Sequence, residues 1–229
     1  LVDPASVLTT HLGELLRRNA HELVGRQETQ ELLGACAKET PKLVEDTVPG
    51  QVTLGELVRV LRGLLREGVS VRDMRTILEA VADAAPKSKD AAFLVEQSRR
   101  RLARQITAKI EERGVVYALT LERGAEETLR QSLGQCDGEA ALAPEVELAR
   151  RLISSLQTQA AALAATGRPA VLLAPPDLRR PLYDFASRFV PDLWVVSARE
   201  LVAGTTVEPA GLVHIGLSAP FMSGPAAAA

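Results

Sequence analysis

The chain has three histidines, two cysteines and an arginine cluster that could do chemistry, and their spacing decides what they can do. His11, His21 and His214 stand in neither an HxxxH nor an HExxH pattern, and no cysteine or carboxylate accompanies them at metal-ligand spacing. His11 and His21 flank the apolar side of a first helix, which suits packed or interface histidines, and His214 falls inside an expected strand. Cys36 and Cys136 lie far apart without CxxC spacing, as reduced thiols of a cytosolic protein would. Ser197 and Ser218 lack a GxSxG context, so nothing is arranged for nucleophilic attack. A phosphate loop needs glycines between a strand and a helix. The candidate junction reads Ala174-Pro175-Pro176-Asp177 instead, with two residues that carry no N–H, and Asp177 is expected to cap the next helix. No catalytic, cofactor-binding or metal-binding residue is assigned, and the chain is not read as an enzyme.

The cluster Arg99, Arg100, Arg101 and Arg104 suits phosphate groups, and the helices expected on either side of Gly68-Val69-Ser70 have the outline of a helix-turn-helix. A nucleic-acid-binding regulator is therefore a distant alternative. Against it, Glu67, Asp73 and Glu79 surround the turn, the formal net charge is −2, and aromatic residues are 3% of the chain. A solvated helix face or a protein contact is the preferred reading, with no nucleic acid as partner.

The elements that carry these residues follow from pattern. With 229 residues and 46% hydrophobic content, the chain is long enough for a sizeable core. No apolar stretch approaches the roughly 18 residues that would span a bilayer. Asp3-Pro4 opens a helix carrying Leu8, Leu12, Leu15, Leu16 and Leu23. That near-immediate start suggests a chain cut from something longer. A helix over Gln30 to Ala37 and a short turn from Thr40-Pro41 follow. Val48-Pro49-Gly50 is a turn, and Thr53 with Glu56 forms a capping box ahead of Leu54, Leu57, Val58, Leu61, Leu64 and Leu65. Gly68 ends that helix, Ser70 and Asp73 repeat the capping pattern for the next, and Pro86 closes the block. Asp90 caps a long helix through about Glu112.

After Gly114 the pattern changes. Val115 to Leu121 reads as a strand, followed by a helix near Glu126 to Leu133, a glycine-containing loop and a long helix from Pro144 to about Thr166. Strands at Ala170 to Ala174 and Leu193 to Ser197, joined by a helix from Leu178 to Phe189, make a βαβ unit, and a last strand includes Leu212 to Ile215. The expected fold class is an α-rich α + α/β chain: an all-helical subdomain, then a small α/β subdomain with a mainly parallel sheet. The tail from Gly224 is low in complexity.

Several strings then bear on function. Val2-Asp3-Pro4 leading to Thr10-His11-Leu12, the run His21 to Glu28, Pro41 to Pro49, Leu64 to Val69 and Arg72 to Glu79 resemble the FlhA/SctV-type export gate family, in that family's order. Pro169 to Leu173, Leu178 to Leu182 and Pro191 to Ser197 resemble its C-terminal subdomain, and the likeness fades after about Gly216. The resemblance implies a piece of the cytoplasmic portion of a type III protein export gate, at the cytoplasmic face of the bacterial inner membrane. It would be anchored only through an N-terminal region outside this chain.

The domains it implies are the last helix of a truncated first subdomain at 1–23, a helical subdomain at 24–103, and the α/β C-terminal subdomain at 104–229, ordered to about 216. The implied partners are chaperone–substrate complexes, other export-apparatus proteins and further copies in a ring, nonameric in the family's usual description. Thr10 falls at the threonine of the family's docking-cleft motif. Read bottom-up, Thr10 is equally a helix residue whose hydroxyl bonds to a carbonyl one turn back. Thr40 to Asp46 sits nearer the flagellar branch, and Lys87 to Asp90 with Leu94 to Glu96 nearer the injectisome branch, which stays as the alternative. No cofactor is implied.

Overall fold

A computed structural model of the chain describes residues 3–136 and 139–216. Ser218 and the low-complexity tail lie outside the described residues. The chain divides into two compact units, one holding Leu1–Lys109 with Arg199–Val202, the other Ile110–Ala198 with the chain from Ala203 on.

The first unit is helical: α1 (Pro4–Arg18), α2 (Ala20–Leu23), α3 (Arg26–Ala37), α4 (Pro41–Thr47), α5 (Leu54–Arg66), α6 (Met74–Ala84), α7 (Ala91–Arg101) and α8 (Ala103–Ile110), which runs to the unit boundary. Its caps are those the sequence signals. Thr53 accepts the Glu56 N–H at 3.2 Å, while the Glu56 carboxylate accepts the Thr53 N–H at 2.7 Å. Asp73 caps α6 through the Thr76 N–H, and Asp90 caps α7 through the Phe93 N–H. Ser70 caps nothing. Its hydroxyl accepts only from the Arg72 N–H, in a local turn. Gly68 ends α5 with φ of 72°, while the Val69 N–H returns to the Leu64 carbonyl.

Helical spacing gives α7, with Leu94 and Val95, two neighbours: α5, with Leu57, Val58, Leu61 and Leu64, and α6, with Ile77, Leu78 and Val81, all of them buried. Gly63 lets α5 and α7 approach closely, since a Cβ there would sit 2.6 Å from Val95 Cγ2.

Two expected helices are interrupted. The first breaks at Asn19, whose side-chain amide donates to the Leu15 carbonyl while its backbone leaves helical geometry. The Asp90–Glu112 helix breaks at Leu102, where ψ is 13°, and it stops at Ile110. Neither break carries a glycine or proline, and the apolar spacing runs straight across both.

The second unit is built on β2 (Val115–Leu121). β7 (Thr206–Val213) runs parallel along one edge of β2 for its whole length, with a register shift after Ala118. The other edge carries β1 (Glu111–Glu112), antiparallel, and then β5 (Val171–Leu173), parallel, with β6 (Trp194–Val196) parallel beyond β5. The sheet is mainly parallel, as expected, and β5, α11 (Arg179–Ala186) and β6 form the expected βαβ unit.

Between β2 and β5 come α9 (Ala125–Gln131), the hairpin β3 (Leu133–Cys136) and β4 (Glu139–Leu142), and α10 (Val146–Ala165). The hairpin replaces the expected loop, and the last strand, Thr206–Val213, holds Leu212 and Val213 of the expected stretch but ends before His214 and Ile215. Leu119, Leu129, Leu152, Leu156, Leu172 and Leu182 anchor this unit's core.

Candidate docking surface

Asp3 starts α1, and its carboxylate accepts the Ser6 N–H. One turn later the Thr9 and Thr10 hydroxyls donate to the Ala5 and Ser6 carbonyls, each at 2.8 Å. Thr10 is exposed, and its hydroxyl satisfies its own helix. The leucines of this element stay in water: Leu8 is 69% exposed, Leu12 57% and Leu23 58%, with Val7, Leu15 and Leu16 close behind. Among the described residues nothing covers this apolar stripe. His21 in α2 lies near this element. Its Nδ1 is buried without a hydrogen-bond partner, and its Nε2 is 4.0 Å from Glu22.

The other candidate groups do not converge. The Arg99 side chain is 1% exposed; its guanidinium meets Glu67 at 3.0 Å and Glu200 closer still. Arg100 reaches Gln97 and Arg101 reaches Asp83 at 2.5 Å. An arginine that is buried against two carboxylates cannot meet phosphate, so the cluster does not form one cationic face. Asp177 does not cap α11, whose N-cap is Leu178. Its carboxylate instead takes Arg130 Nε at 2.7 Å. That guanidinium holds Asp177 below the usual carboxylate range against the opposing effect of burial.

His214 stands just past β7, its Nδ1 3.1 Å from Glu122, and Glu122 also accepts the N–H groups of Ile215, at 2.7 Å, and Gly216. Cys36 is a free thiol 3.3 Å from the Thr40 hydroxyl; the side chain of Cys136 falls outside the described residues. Among the described residues no group of three or more histidine, cysteine, aspartate or glutamate side chains could hold a metal ion. No helix among them is long and apolar enough to cross a membrane.

The Arg99 pair with Glu200 and the Glu122 clasp escaped the sequence, because their partners are 101 and more than 90 residues away. The only local trace was an arginine where the helical spacing calls for an apolar residue.

A helical unit followed by a small, mainly parallel α/β unit is the architecture of the cytosolic domains of type III secretion export gates. The chain overlays the CdsV protein of Chlamydia pneumoniae in its complex with CdsO with a TM-score of 0.85 at 26% identity, covering 93% of this chain and 63% of that one. It overlays the nonameric SctV-C of EPEC with a TM-score of 0.79 at 28% identity, covering 90% and 62%. Residues 1–206 match the FHIPEP family, and the chain belongs to that family.

Two of its relatives are flagellar biosynthesis proteins FlhA. The one from Bacillus subtilis is 35% identical over 216 residues, and the one from Escherichia coli is 42% identical over 202. They cover 94% and 88% of this chain, but the chain spans only 32% and 28% of their lengths.

Proposed function

We propose that this chain is part of the cytoplasmic portion of a type III protein export gate of the flagellar branch, standing at the cytoplasmic face of the inner membrane. The observation that carries this is the match to the FHIPEP family across both units, with flagellar relatives at 35% and 42% identity. Within the gate the chain contributes to a ring of copies, a reading supported by its likeness to a nonameric secretion domain. It works by contact rather than by catalysis. Chaperone–substrate complexes dock on the part of the gate to which α1 contributes, with Thr10 as a contact, a reading supported by the docking-cleft motif that Thr10 resembles and by its exposed place on α1. Other export-apparatus proteins engage the gate as well, as CdsO does CdsV. The domains assigned at 1–23, 24–103 and 104–229 belong to this proposal.

The injectisome branch is the second reading, favoured by the likeness to CdsV and SctV-C, although the identity there is 26% and 28%. The test is a binding titration of flagellar chaperone–substrate complexes against the full cytoplasmic domain, wild type and Thr10→Asp, with this fragment as a third sample. Binding by the wild type that Thr10→Asp weakens, with helicity unchanged, supports the flagellar docking role. Equal binding by both removes Thr10 as a contact, and no binding by either moves the assignment to the injectisome branch.

A further inference from the structure

At the N-terminal ends of α3 and α5 lies a groove of about 510 Å3, open on its outer side. Arg26, Arg59 and Arg62 line it, over a floor that includes Gly25, Gly55 and Val58. Arg59 and Arg62 share one face of α5, three residues apart, and Arg62 is fixed by its Nε, which donates to the Val24 carbonyl at 2.7 Å. Arg26 lies across the first turn of α5. A Cβ on Gly55 would be in ordinary contact with Arg26 Nη2, at 3.7 Å, which places that guanidinium over the turn.

All three arginines are exposed, and among the described residues no ion pair joins any of them to a carboxylate. The acids beside the groove, Glu28 and Glu56, feel Arg62 and Arg59 through space but bond to backbone N–H groups. Glu28 accepts the Gly25 N–H at 2.8 Å and Glu56 accepts the Thr53 N–H at 2.7 Å.

Guanidiniums in a solvent-open groove select carboxylates on an extended chain rather than a small molecule, which would need enclosure. A second copy of this chain is a poor occupant. Its longest acidic runs are pairs, Glu45-Asp46, Glu111-Glu112 and Glu126-Glu127, each with Lys42, Arg113 or Arg130 within a turn.

We propose that this groove docks an acidic peptide segment of a partner protein, with Arg26 and Arg59 each gripping a carboxylate and Arg62 fixing the segment between them. The assignment does not depend on the export-gate reading.

The test is fluorescence anisotropy of a labelled octapeptide of alternating Glu and Asp against the full chain, with a Lys octapeptide and inorganic phosphate as controls. Arg26→Glu and Arg59→Glu are expected to weaken binding on the order of tenfold or more each, with raised salt weakening it in the wild type. Arg104→Glu, an exposed charge reversal elsewhere on the helical unit, is expected to leave it within about twofold. Arg59→Gln keeps the result readable if the reversal disturbs the helix.

Equal binding by wild type and Arg59→Glu overturns the proposal, as does an equal loss in Arg104→Glu. Displacement of the peptide by phosphate at matching concentration reduces the groove to a general anion site and overturns it too. Sedimentation showing self-association that Arg59→Glu abolishes, with peptide affinity unchanged, would assign the groove to a second copy instead.

Discussion

The guanidinium of Arg99 in α7 lies against the carboxylate of Glu200, 101 positions along the chain, with both side chains 1% exposed. Glu67, at the end of α5, meets the same guanidinium at 3.0 Å with its side chain 7% exposed. The short segment Arg199–Val202, which leaves the α/β unit between β6 and β7, counts as part of the helical unit. Its Val202 N–H also donates to the Thr107 hydroxyl at 3.1 Å.

Removing the cation should therefore cost more than removing an ordinary surface charge. Arg99→Met leaves two buried carboxylates facing each other, and a loss of about 3–5 kcal/mol is expected. Glu200→Gln, which keeps a hydrogen-bond acceptor, should cost clearly less. Urea denaturation followed by far-UV circular dichroism measures both, and a change under about 1 kcal/mol in Arg99→Met would contradict the buried ion pair.

Gly63 and Val95 give the second prediction. A methyl at Gly63 would lie 2.6 Å from Val95 Cγ2, and Val95 is a stiff side chain that is 2% exposed, so one helix must move. Gly63→Ala should destabilise by about 1–3 kcal/mol in spite of alanine's better helix propensity. Adding Val95→Ala should recover part of that loss, giving a coupling energy in a double-mutant cycle. Strict additivity would mean that the two positions do not touch.

What could be read in advance was local. Thr53 with Glu56, Asp73, Asp90 and Gly68 announce their helix ends because each bonds within four residues, and apolar spacing located the strands β2, β5 and β6. What could not be read depends on distant partners or on backbone breaks without a marker. Asn19 and Leu102 interrupt helices while the leucine pattern continues. Asp177 looks like a cap but is taken by Arg130 from α9. The resemblance pointed to Thr10 on its motif, and the structure adds that its hydroxyl bonds to the Ser6 carbonyl, as the bottom-up reading of a helix threonine expects.

Arg130 offers a contrast with Arg99. It contacts Asp177, Glu126 and Glu127, but it is 37% exposed and Asp177 is 52% exposed, so solvent screens the pairs. Arg130→Ala should change stability far less than Arg99→Met does, and added salt should shrink even that. A thermal melt at low and at high salt tests it, and a loss comparable to that of Arg99→Met would contradict the account of burial given for the two arginines.

The last prediction concerns pH. Burial raises the Glu122 carboxyl's affinity for a proton, but the N–H groups of Ile215 and Gly216 and the His214 ring outweigh it and hold Glu122 below its ordinary value. A carboxyl held down in the folded state contributes stability above its unfolded-chain pKa and loses that contribution as pH falls through the folded value. Glu122→Gln should therefore be less stable than wild type by about 1–2 kcal/mol near neutrality, and the gap should begin to narrow below about pH 4.5 and close as pH falls through the lowered folded value. Other carboxyls are lowered too, Glu147 by Arg150 and Arg151 among them, so the wild type's own acid unfolding is not diagnostic. The difference between the two proteins across the pH series is. A gap that stays constant with pH would mean that Glu122 acts through packing rather than through its charge, and His214→Ala, which keeps both backbone donors, should retain most of the pH dependence.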